Sequence, residues 1–62
     1  MNNKTYNVGD NVKIVNDMVF EGLNGKIVDI LTKNDDTFYY VIITDECELQ
    51  GMIIKFSDNE LN

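Results

Sequence analysis

Apolar and polar positions along this chain follow the two-residue period of β-strands. No window shows the i, i+3, i+4, i+7 spacing of a capped amphipathic helix. Val12 and Ile14 alternate with Lys13, which predicts a half-buried strand over 11–15, preceded by a turn at Gly9-Asp10. A long loop follows over 16–24. Asn16 and Asp17 open it, because short polar side chains bond their own backbone. Met18, Val19 and Phe20 are too apolar for a solvated loop, so part of this segment is expected to fold back over an open end of the core. Asn24-Gly25 closes it as a pair suited to a turn with positive φ.

The second strand is expected over 26–31. Ile27, Val28, Ile30 and Leu31 break strict alternation there, as a β-bulge or a strand buried on both faces would. A polar turn, Lys33-Asn34-Asp35-Asp36, leads to the clearest strand, 37–44, dense in aromatic and β-branched residues. Alternation sends Phe38, Tyr40 and Ile42 to one face and Tyr39, Val41 and Ile43 to the other. One set is core. The other is an apolar stripe on the outside or lies under the loop. After a turn at Asp45-Glu46, a fourth strand is expected over 47–54, with Gly51 as a point of interruption. Ser57-Asp58-Asn59-Glu60 has the capping chemistry of a single 3-10 turn, and Leu61 would begin a very short fifth strand. Residues 1–7 are polar and read as a flexible lead-in, leaving 8–62 as the domain. Five short strands joined by glycine and Asx turns predict an all-β, five-stranded small barrel.

Composition narrows the function. A chain of 62 residues buries only about 60% of the surface it exposes when unfolded. A deep, water-excluding pocket would compete with the core for few apolar side chains, which favours binding over catalysis. The net charge is −6, from 11 acidic and 5 basic residues, and every basic residue is Lys. Without Arg, and with this charge, DNA and RNA are disfavoured partners. Cys47 stands alone, so an intramolecular disulfide is impossible. The first seven residues hold no apolar run of a signal peptide, and no segment nears the ~20 apolar residues of a membrane span, so a cytoplasmic protein is expected.

The stretch from 8 to 30 resembles the KOW motif of SH3-like barrels, found in ribosomal proteins and transcription elongation factors. Gly9-Asp10, Val12 and Ile14, then Phe20, Gly22, Gly25, Ile27 and Ile30 carry the likeness. The remaining strand order and the ending Phe56-Ser57-Asp58-Asn59-Glu60-Leu61 also look SH3-like. The ending is also similar to the tails of small SH3-like proteins of Gram-positive bacteria and their phages. The resemblance implies an SH3-like barrel and, in its KOW form, contact with RNA or a nucleoprotein through the loop. RNA-binding members carry Gly-Pro and basic residues around the loop aromatic. Here Met18-Val19 precede Phe20 and Glu21 follows it. The proline-binding SH3 groove needs a Trp and a Pro that this chain lacks.

The chemistry available is spare. No His is present, so no Ser-His or Cys-His nucleophile pair can form, and no paired carboxylates stand out. The chain is read as non-enzymatic. One Cys cannot supply a zinc site, and neither Asn34-Asp35-Asp36 nor Asp45-Glu46-Cys47-Glu48 has calcium-loop spacing, so neither metal nor cofactor is expected. Glu46 and Glu48 disfavour a Cys47 thiolate. What remains is recognition. The first reading is a protein-binding module, monomeric or homodimeric, that contacts its partner through Met18, Val19, Phe20 and Glu21 with Tyr39 and Tyr40. The second is an acidic inhibitor that mimics nucleic-acid phosphates through Asp35, Asp36, Asp45, Glu46 and Glu48.

Overall fold

The computed structural model describes residues 5–62. Four strands form one antiparallel sheet in chain order: β1 (Asn11–Lys13), β2 (Asn24–Lys33), β3 (Asp36–Ile43) and β4 (Ile53–Ser57). A 3-10 turn, Asp58–Glu60, follows. Of the lead-in, residues 1–4 lie outside the described residues. Tyr6 packs edge-on against Tyr39 at 5.3 Å.

The strand count is four, not five. Residues 58–60 are wound into the 3-10 turn and cannot extend a ladder, so the pairing expected at Leu61 is a single antiparallel bridge to Ile14. Around that bridge Lys13 and Asn62 exchange two backbone bonds of 2.9 and 2.8 Å. The chain thus returns from β4, at one margin of the sheet, to β1 at the other.

The fourth strand also starts later than its apolar residues suggest. The N–H of Cys47 donates to the Asp45 carbonyl, that of Gln50 to Cys47, and that of Met52 to Leu49, at 3.0–3.1 Å. These local turns consume 45–52, Gly51 completes them at φ 88°, and the strand begins at Ile53.

Asn24-Gly25 lies inside β2 rather than in a turn. The corner with positive φ is Asn34-Asp35, at 53° and 67°, the left-handed pair that a two-residue hairpin demands. Gly25 serves close approach instead. A Cβ there would overlap Val41 Cγ1 and stand 2.7 Å from the Ile42 carbonyl oxygen.

The broken alternation in β2 is a bulge. Ile27 faces Val41 and Asp29 faces Tyr40, so Val28 is the extra residue. Ile27 and Ile30, three apart, therefore both turn toward the inner face, and Val28 and Leu31 stay exposed. On the inner face Val12, Ile14 and Ile27 pack with Tyr39, Val41 and Ile43 of β3, and Phe56 and Leu61 complete the core. No helix among the described residues is long and apolar enough to cross a membrane.

Candidate functional site

The loop joining β1 to β2 is held at both ends. At its base the Ile14 N–H donates to the Leu23 carbonyl (2.9 Å) and the Gly22 N–H to the Ile14 carbonyl (2.7 Å). At its tip one carboxylate oxygen of Asp17 accepts the N–H groups of Val19 and Phe20, both at 2.9 Å. Asn16 ties the loop to the carbonyl of Asn59 at 2.7 Å. The expected fold-back falls to Phe20, which meets Phe56 edge-on at 6.0 Å on the inner face. Met18 is left fully exposed and Val19 is 72% exposed, with Glu21 in solvent beside them.

Tyr39 cannot contact a partner. It is 2% exposed, at the centre of the core between Ile30 and Phe56 of the neighbouring strands, because it shares the inward parity of Val41 and Ile43. Its hydroxyl accepts the Tyr6 N–H at 3.4 Å. Tyr40 has the opposite parity and stands half-buried on the outer face. Phe20 and Tyr40 are thus on opposite faces of the sheet, and the loop and β3 do not combine into one surface.

The outer face has its own order. Cross-strand registers place Leu31, Phe38 and Ser57 in one row, Asp29, Tyr40 and Lys55 in the next, and Lys26, Ile42 and Ile53 in the third. Val28 joins them through the bulge. Phe38, Tyr40 and Ile42 are half-buried, and Val28, Leu31 and Ile53 are exposed. Lys55 lays its ammonium over the Phe38 ring, 5.0 Å from the centroid. Among the described residues the loop hydrophobics Phe20, Leu23 and Leu49 pack against the core cluster of the inner face. The sequence groups Phe38, Tyr40 and Ile42 on one face without saying whether that face is core or surface, and it does not single out Leu31 or Ile53 as part of that surface. The signal was present in the failed alternation around Val28, which shows that apolar residues of β2 face both ways.

The proposed acidic face separates into two ends. Asp35 and Asp36 sit at the β2–β3 hairpin, and Asp45, Glu46 and Glu48 follow the far end of β3. At about 3.3 Å per residue, the intervening strand sets them roughly 25 Å apart. Asp35 and Asp36 line an open groove of about 680 Å³ with Tyr6, Thr32, Thr37 and Asp58. The Tyr6 phenol is pushed above its ordinary value by burial first, then by Tyr39 and Asp58. Asp45 is engaged structurally. Its carboxylate accepts the Asn24 N–H at 2.9 Å and the Asn24 side-chain amide at 3.2 Å. The backbone bond is the main reason its carboxyl lies below the usual carboxylate range.

That shift fixes a pH signature. A lowered folded-state pKa stabilises the fold above the unfolded value near 3.9, and the contribution is lost as pH falls through the folded value. Asp45→Ala should therefore be less stable than the parent at pH 7, and the gap should narrow at pH 2. Urea unfolding at both pH values reads this directly; a gap that widens in acid contradicts the assignment.

Cys47 is exposed and free. No group of three or more His, Cys, Asp or Glu able to hold a metal gathers among the described residues. No protein-family pattern, no curated protein and no solved structure matches this chain.

Proposed function

We propose that this chain is a small, non-catalytic protein-binding module whose principal contact surface is the outer face of the sheet. One observation carries the reading: the aromatic and aliphatic stripe of half-buried Phe38, Tyr40 and Ile42 between exposed Leu31 and Ile53 runs across the outer face of a domain with few apolar residues to spare. Such a patch, rimmed here by Lys26, Asp29 and Lys55, has the makeup of an interface core with a charged rim. The exposed tip Met18-Val19, fixed by Asp17, is a second, smaller contact. The architecture we propose is the SH3-like roll, with Leu61 and Asn62 against β1 in the place of a fifth strand. Phage or mobile-element origin belongs to the same reading through the sequence resemblance.

The acidic-mimic reading draws less support. Its carboxylates stand at two ends of the molecule, and Asp45 is committed to Asn24. A KOW-type RNA contact would need cations at the loop tip, where Glu21 stands.

The test is retention of lysate proteins on the immobilised chain. Leu31→Asp with Ile53→Asp should abolish retention while the fold survives, since both side chains are exposed. Met18→Ser with Val19→Ser should weaken it only in part. Retention should also persist at high salt, because an apolar contact is not screened. Retention that ignores the outer-face pair, or that vanishes with salt, defeats the proposal.

A further inference from the structure

The β4 margin of the sheet carries an unused ladder. The Ile43 N–H donates to the Met52 carbonyl and the Gly51 N–H to the Ile43 carbonyl, both at 2.9 Å, so Ile43 turns its backbone toward β4. Alternation gives Val41 and Tyr39 the same direction, and their partners are Ile54 and Phe56. Ile53, Lys55 and Ser57 therefore point their N–H and carbonyl groups away from the sheet. The Ser57 N–H is taken by the Glu60 carboxylate at 2.9 Å. Those of Ile53 and Lys55 meet nothing among the described residues. The other margin differs, because Lys13 of β1 already pairs with Asn62.

Edge strands are commonly guarded by an outward Lys. Here Lys55 lies back over Phe38 of its own sheet, which leaves the edge open, and Ile53 beside it is 56% exposed. We infer that this edge binds a second copy of the chain, β4 to β4, in antiparallel register about Ile54. Three features favour a second copy as the occupant. With the two-fold axis at Ile54, Ile53 of each copy faces Lys55 of the other, and each such pair exchanges two backbone bonds, so the edge is complementary to itself. The register sets an aliphatic side chain against a Lys stem rather than Lys directly against Lys. The strand carries no carboxylate. Asp35 and Asp36 belong to the β2–β3 hairpin, and Asp45, Glu46 and Glu48 precede β4 in its connecting loop, so the residues that pair across the seam, Ile53 and Lys55 of each copy, bring no acidic side chain into it, and the Glu60 carboxylate stays at its Ser57 end. The dimer runs the apolar outer face continuously through both copies. It does not rest on that face having a further partner.

Outward N–H groups make the test specific. Proline at 55 removes an edge donor and leaves the β3–β4 bonds intact. Sedimentation equilibrium of the parent, carried into the millimolar range, should show the mass rising toward twice that of the 7.1 kDa chain. Lys55→Pro should stay at the single-chain mass with an unchanged circular dichroism spectrum. If the proline variant fails to fold, Ile53→Lys gives the same answer by setting Lys against Lys55. Hydrogen exchange on the parent should slow at the Ile53 and Lys55 amides as concentration rises. A parent that stays single-chain throughout, or folded variants that still double, overturns the inference.

Discussion

Phe56→Ala is expected to leave this chain largely unfolded at 25 °C. The ring is 1% exposed, sits opposite Tyr39 across β3 and β4, and receives Phe20 edge-on. Removing a buried Phe costs about 3–5 kcal/mol through lost transfer energy and the cavity left behind. The aromatic pair adds about 0.5–1.5 kcal/mol. At ~0.05–0.15 kcal/mol per residue, the whole fold is worth about 3–9 kcal/mol, so the loss is comparable to the total. It also releases the loop, because Phe20 loses its seat. Urea unfolding followed by circular dichroism should show no native baseline for the variant. Phe20→Ala, at a half-buried ring, should keep a cooperative transition at lower urea. A Phe56→Ala midpoint close to the parent's would mean that the core does not depend on this ring.

Gly25→Ala should be the next most damaging single change, although it adds one methyl group. The added carbon overlaps Val41 Cγ1 and crowds the Ile42 carbonyl oxygen. Val41 is fully buried, and the oxygen belongs to the backbone of β3, so neither neighbour moves freely. Overpacking of this kind costs about 1–3 kcal/mol. For a domain of this size each kcal/mol lowers Tm by roughly 4–8 °C. A fall of about 4–24 °C is the expected result in a thermal scan. A fall under a few degrees would show that β2 and β3 can part at this point without consequence.

These two residues also mark what the sequence could disclose. The third strand was plain because aromatic and β-branched residues run unbroken through it, and its parity was right. The sequence did not say which parity faces inward. That is decided by Phe56 and Leu61, distant in the chain, which supply the far wall of the core. Gly25 looked like a turn residue because Asn-Gly is a strong local turn signal. The tertiary demand for close approach of β2 to β3 overrode it, and the corner moved to Asn34-Asp35. The region 47–54 looked like a strand because its apolar residues are strand formers. The turn bonds of Cys47, Gln50 and Met52 took its first half, and no hydrophobic pattern reports those. The candidate site was legible in part. Met18, Val19 and Tyr40 are exposed or half-exposed as a contact surface requires, whereas the pairing of rows that makes the outer face continuous exists only in the register.

The bulge at Val28 has a consequence for how this sheet can change length. Removing Val28 alone would leave Ile27 inward, Asp29 outward and Ile30 inward, a regular strand with every other side chain on its present face. Removing Asp29 instead would leave the same alternation with Val28 as the outward residue, whereas removing Ile27 or Ile30 would break it by taking away an inward isoleucine. Val28 is therefore dispensable to the inside-outside pattern and answers to shape. The extra residue increases local twist and bends the strand it sits in. The bulge lies in the strand next to β1, whose neighbour Ile14 carries the bridge to Leu61. One exposed valine, silent in the core, sets the local shape of β2.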